Sequence, residues 1–300
     1  GRRAPRCPTG SLNRICWHPV ENVLCMTFYN ASAVYLQLGT ISGSTISLGT
    51  AQSLGTAAAP TSNARYDLCH NAHQNKIVVV FSPTTTATQA VAVQVAGGVM
   101  TAGSPLTISA GTGTSANLHF AIASMPGAPE VVVVCNTSAS SRGIRALTVN
   151  ATALTARTEV TTALSGAQGT AWMEYSPVAG RFVLVALTQT GTTSGQLITL
   201  TGTTASAGAL LPLAAAWSGG TVDTAQQPFA YDIGKGELVF FGLETTTNYA
   251  RTASATVSGA ALVFGSTTYI NTSTSSVLAM GYNSSEDKVV FAYVDAGNSN

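Results

Sequence analysis

The chain has 300 residues, of which 45% are apolar and only 8% charged, with a net charge of +1. That is ample material for a core, but it lacks the clustered Lys and Arg that nucleic acid or anionic lipid would require, so neither is an expected partner. No apolar run approaches the roughly 18 residues of a membrane-spanning helix, so no membrane insertion is expected, and Ser and Thr, roughly a quarter of the chain, carry the solubility.

Residues 1–10, GRRAPRCPTG, start without Met or an apolar leader and read as an N-terminal extension trimmed or excised from something longer. From residue 11 a pattern starts that repeats to the end. CWHPVENVLCMTF from Cys16 is a turn followed by an apolar run, and ISGSTISLG from Ile41 is a second, hydroxyl-rich turn unit (residues 11–58). The pair recurs as CHNAHQNKIVVVF from Cys69 with VAGGVMTAG from Val95 (59–112), and as ASMPGAPEVVVVC from Ala123 with VNATALTAR from Val149 (113–165). It returns as EYSPVAGRFVLVA from Glu174 with LTGTTASAG from Leu200 (166–218), then as AYDIGKGELVFFG from Ala230 with VSGAALVFG from Val257 (219–271). GYNSSEDKVVFAY from Gly281 is a sixth copy of the first unit without a second (272–300).

Each unit predicts two strands around a turn, so a complete period predicts four strands. Helix signals are nearly absent: ALLPLAAAW (Ala209 to Trp217) contains Pro212 and has no convincing cap. Four-stranded units repeated every fifty or so residues make an all-β fold, a β-propeller. Runs such as VVVV (Val131 to Val134) fit strands buried on both faces by neighbouring blades. Six repeats with the last incomplete predict five blades and a half blade in a single domain over 11–300. Residues 1–10, with their Pro and Arg, are poor strands to complete it.

The second residue of each first unit is Trp17, His70, Ser124, Tyr175, Tyr231 or Tyr282. Aromatic rings at one position per blade fill the wedge between blades, or stack on sugar faces with Asn71, Asp232 and Asn283 accepting hydroxyl hydrogen bonds. Asp67, Glu174 and Asp232 lie close enough to the inner strands to face a central channel, yet no pair stands out as the two carboxylates of a glycosidase. CHNAH (Cys69 to His73) brings thiol and imidazole together, but the repeat aligns it with an ordinary hairpin turn, so no metal is expected. Nothing resembles a phosphate loop or a nucleotide fingerprint, so no cofactor is expected. Cys16 and Cys25 sit symmetrically about the first turn, placed either for a cross-strand disulfide or as two small buried thiols. The polar loops that join the units vary while the strands keep their pattern, which marks them as a further place for binding.

Two stretches resemble a repeat of phage and other viral tail-fibre proteins. One is matched by Tyr282, Lys288, Val289, Val290, Tyr293, Asp295, Gly297, Asn298 and Ser299. The other is matched by Gly39, Thr40, Ser42, Gly43, Ile46, Ser47, Gly49 and Thr50. The resemblance implies a non-enzymatic surface module, on a virion or otherwise extracellular. Such a module contacts a host receptor or glycan through its inter-strand loops, beside other appendage proteins and compatibly with an oligomer, and it brings no catalytic residues. A secreted or cell-surface lectin-like propeller is the alternative, and a propeller glycosidase the third.

Overall fold

The computed structural model describes residues 14–30, 32–56, 66–84, 87–109, 120–137, 142–162, 171–187, 193–212, 229–243, 247, 249–283 and 286–295. The predicted N-terminal extension, Cys7 and part of the joining loops fall outside them.

The first sheet contains β1 (Arg14–His18), β2 (Val23–Asn30), β3 (Ala33–Ser42), β4 (Thr45–Leu48) and β5 (Gln52–Thr56). The second contains β6 (Tyr66–Asn71), β7 (Lys76–Phe81), β8 (Thr88–Ala96), β9 (Val99–Ala102) and β10 (Leu106–Ser109). The third contains β11 (Ala121–Ser124), β12 (Glu130–Asn136), β13 (Arg142–Asn150), β14 (Ala153–Ala156) and β15 (Val160–Thr161). The fourth is β16 (Ala171–Ser176), β17 (Arg181–Leu187), β18 (Thr193–Thr201) and β19 (Thr204–Pro212). The fifth is β20 (Phe229–Asp232), β21 (Glu237–Leu243), β22 (Tyr249–Ser258), β23 (Ala261–Asn283) and β24 (Lys288–Asp295).

Within each sheet neighbouring strands pair antiparallel in chain order, which makes a meander, and the first strands of successive sheets lie side by side. In the first three sheets the fourth strand is broken in two, and both pieces pair with the third strand. Gly49, Gly103 and Arg157 bridge the break by donating backbone N–H bonds of 2.9 Å to Leu38, Ala92 and Ala146. The turn of each first hairpin holds a residue with positive φ, at Asn22, Asn75, Gly127, Gly180, Gly236 and Asp287. These are the residue types that tolerate the left-handed conformation, which explains the Asn, Gly and Asp of the turn signals.

The core consists of layers between the sheets. Alternate residues of β7 enter different layers: Ile77, Val79 and Phe81 pack towards the first sheet, and Val78 and Val80 towards the third. Every residue of β7 is buried, as the unbroken apolar run predicts. β12 does the same, with Val131, Val133 and Cys135 facing the second sheet and Val132 and Val134 the fourth.

The count of six repeats needs correction, because the described residues form five sheets. β23 runs from Ala261 to Asn283 without a turn, so it is both the outer strand of the fifth sheet and the first strand of the sixth unit. The sixth unit is therefore a hairpin, with Tyr282 opposite Val289 and Met280 opposite Phe291. Val289, Phe291 and Tyr293 lean on the fifth sheet's core, while Val290 on the other face is 55% exposed.

Candidate functional site

Six strand segments, β1, β6, β11, β16, β20 and the C-terminal part of β23, converge on one half-open cavity of about 620 Å³. Because the segments occupy equivalent places in the repeat, residues at one register form a ring around it. His70, Ser124, Tyr175, Tyr231 and Tyr282 all line the cavity near the first turns, together with Pro126, Pro177 and Ile233 from the turns themselves. Trp17 does not join them. It does not line the cavity and is 39% exposed.

Each ring also does packing work. His70 lies against His18 with ring centroids 4.6 Å apart, and its Nε2 is 3.2 Å from Asn75 Oδ1. Burial holds both imidazoles below the ordinary pKa, with the His70 charge a second cause for His18. Tyr175 meets Phe182 edge-on at 5.0 Å. Tyr282 donates its hydroxyl to Asp287 at 2.5 Å, and that bond raises its pKa. Tyr231 is buried, and its hydroxyl has no partner among the described residues.

The polar residues after the rings are turn caps. Asn71 Oδ1 accepts from Gln74 N at 2.9 Å, Ser176 Oγ from Ala179 N at 3.4 Å, and Asp232 Oδ1 from Lys235 N at 3.1 Å. His18 Nδ1 accepts from Glu21 N at 3.2 Å in the same way. Asn71 is fully buried, and its Nδ2 donates to Ser124 Oγ, Ala128 O and Glu130 O at 3.1, 3.1 and 3.4 Å, tying the second sheet to the third. Neither Asn71 nor Asp232 lines the cavity. Their oxygens satisfy backbone N–H groups of the turn, because side chains that can accept from a sugar hydroxyl also suit a turn cap. Asn283 stands at the equivalent place in the last hairpin, half-buried.

At the other end of the strands, Arg14 Nε lies 3.6 Å from Asp67 Oδ1 across the first two sheets. Asp67 also accepts from Leu68 N at 2.9 Å and from Ile122 N at 3.2 Å. Burial pushes its carboxyl up to about 6 despite Arg14 and those bonds, which work in the opposite direction. Glu174 is the other cavity carboxylate. Trp172 lines the same wall, buried, with its Nε1–H unpartnered among the described residues. Trp172 and Arg14 do not appear in the sequence pattern, because they lie three residues before the repeated aromatic position.

Cys16 and Cys25 face each other across β1 and β2 as free thiols, with Cys25 buried and Cys16 reaching the cavity. Among the described residues no group of His, Cys, Asp and Glu is arranged to hold a metal ion.

Sheets stacked about a shared cavity, each with its first strand inward, define the chain as a β-propeller. No family model matches the sequence, and no curated protein matches it. Solved structures do match its fold. A mutant of AofleA from Arthrobotrys oligospora aligns with a TM-score of 0.56 at 10% identity, over 96% of this chain and 80% of that one. A lectin of Aleuria aurantia in complex with Fucα1-6GlcNAc aligns at 0.53 and 11% identity, over 96% and 89%. A 6-phosphogluconolactonase-like protein of Bacteroides uniformis, described as putative, aligns at 0.60 and 10% identity, over 94% and 84%. The chain is thus similar in fold to a lectin solved with a fucosyl disaccharide and to a protein named for an enzyme.

Proposed function

We propose that the protein is a non-enzymatic carbohydrate-binding propeller that takes a sugar into the mouth of its central cavity. The observation that carries this reading is the ring of aromatic side chains from different sheets at one end of a 620 Å³ space. Aromatic faces stack on the C–H faces of pyranoses, and Ser124 and the backbone at the turns supply hydrogen bonds that fix orientation. The fold neighbours include a structure described as a fucose-specific lectin of Aleuria aurantia, which supports a glycan as ligand. Placement outside the cell or on a virion surface, contacting a host receptor, belongs to the same proposal and rests on the tail-fibre resemblance of Tyr282, Lys288 to Val290 and Gly39 to Thr50.

A glycan array followed by titration calorimetry tests it. At least one glycan class should bind, and Tyr175→Ala should weaken that binding about tenfold or more while the fold persists, as loss of one stacking face predicts. Undiminished binding by Tyr175→Ala would remove the cavity from the reading.

A second reading, hydrolysis, is favoured by one observation: Asp67, with its carboxyl at about 6, shares the cavity with Glu174. Asp67 is engaged by Arg14 and two backbone N–H groups, which suits a structural anchor better than a proton donor. Chromogenic glycosides and lactones should therefore be left intact, and turnover abolished by Asp67→Asn would establish the enzyme instead.

A further inference from the structure

The cysteines are the reactive groups that carbohydrate binding leaves unused. Cys16 in β1 pairs directly with Cys25 in β2, and the two thiols share a hydrogen bond. Directly opposed residues in an antiparallel ladder have Cα atoms about 4.5–5.5 Å apart, inside the roughly 4.4–6.8 Å span of disulfides. Their Cβ atoms need to close by only about 1 Å to reach bonding geometry. The other described cysteines lack such a partner, since Cys69 stands opposite Val78, and Cys135 opposite Gly143. Access is one-sided: Cys25 is fully buried, whereas Cys16 lines the cavity and meets whatever enters it.

We propose that Cys16 and Cys25 are an oxidation site that closes to a cross-strand disulfide when a small peroxide enters the cavity. The Cys16 thiolate attacks one peroxide oxygen, the O–O bond breaks, and hydroxide leaves with the electron pair, giving a sulfenic acid. The Cys25 sulfur then displaces the sulfenic hydroxyl, the S–S bond forms, and the Cys25 proton leaves with that hydroxyl as water. Two thiols are oxidised and one peroxide is reduced. The hydrogen bond to Cys25 and burial raise the Cys16 thiol above its ordinary pKa, so closure accelerates as pH rises. The bridge acts where support is thinnest. One face of β1 packs on the second sheet, while Ile15 and Trp17 on its other face are exposed. The crosslink fastens this inner strand, and with it one wall of the cavity, to β2.

The test treats the full chain with hydrogen peroxide and then reads its intact mass and a peptide map cut at Glu21, which separates the two cysteines. The expected product has lost two hydrogens, its Cys16 and Cys25 peptides are joined until reductant is added, and its midpoint of unfolding rises by several degrees. Cys69→Ser should behave like the parent, and Cys25→Ser should stop at an oxygenated Cys16. Peroxide treatment that adds oxygen to Cys16 in the parent while Cys25 still titrates as a thiol would overturn the proposal. So would a bridge from Cys16 to Cys69, or no reaction at all.

Discussion

β7 and β24 are the same element of the repeat, the second strand of a hairpin that begins on Lys, and they end in different surroundings. β7 is covered on both faces and paired on both edges, so all its residues are buried. Among the described residues β24 pairs only with β23, leans on the fifth sheet through Val289, Phe291 and Tyr293, and leaves Val290 exposed. Similar apolar strands acquire different weight in the fold according to how many neighbours the ring supplies. A strand's hydrophobicity alone does not reveal that weight.

The largest expected effect follows from this contrast. Phe81→Ala opens a cavity among Leu54, Tyr66 and Val91 and should cost ~3–5 kcal/mol in denaturant unfolding. Phe291→Ala removes an equal ring from a partly buried site and should cost less than half as much. Equal losses would mean that β24 is covered as completely as β7.

The next effect compares the two ends of the cavity. The Asp67 carboxyl sits at about 6 in the folded chain against 3.8 ordinarily, so the native state holds its proton over that interval. Stability from this group is complete below pH ~4 and is lost as pH rises through 6, a change of ~3 kcal/mol. Asp67→Asn should remove that slope, read as the difference between parent and variant at pH 4 and pH 7. At the turn end, His18 and His70 are lowered, so their contribution has the opposite sign. It is present above about pH 6.5 and falls away as acid protonates the unfolded chain first. In the Asp67→Asn background this histidine slope should stand alone, and His70→Gln should flatten it.

Between the caps the expected difference is smaller. Asn71→Ala strands three acceptors between the second and third sheets as well as a turn N–H, and should cost ~2–3 kcal/mol. Asp232→Ala loses one turn cap and should cost ~1 kcal/mol. Thermal midpoints of the two variants measured side by side check the order.

These pairs also mark what the sequence makes legible. The period, the turn residues and the doubly buried strands are local properties, written in Asn75, Gly127 and the run Ile77 to Phe81. The ring of His70, Tyr175, Tyr231 and Tyr282 follows from the period, which places residues of equal register alike in a radial repeat, but the period does not reveal that Trp17, at the same register, stands outside the ring. The extent of β23 does not follow: Asn271 to Met280 carries no Gly or Pro, and nothing local distinguishes a strand that continues from one that turns. The Arg14–Asp67 pair joins different repeats and has no spacing to announce it. Asn71 and Asp232 are visible as polar residues beside aromatic ones, but turn cap and sugar acceptor draw on the same side chains, so only three-dimensional geometry separates them.

The smallest stability effect concerns the exposed face of β24. Val290 contributes little to folding, since its side chain is already 55% in water, and Val290→Lys should move stability by no more than ~0.5 kcal/mol. Its effect on solution behaviour should be larger. β24 presents an edge with no strand beyond it among the described residues, and an apolar edge is a template for another chain, which a Lys on that strand blocks. Light scattering at high protein concentration should show less association for Val290→Lys than for the parent, whereas Val79→Lys at the matching strand of the second sheet should prevent folding altogether. If Val290→Lys instead unfolds the protein, β24 lies inside a covered blade, and the contrast with β7 disappears.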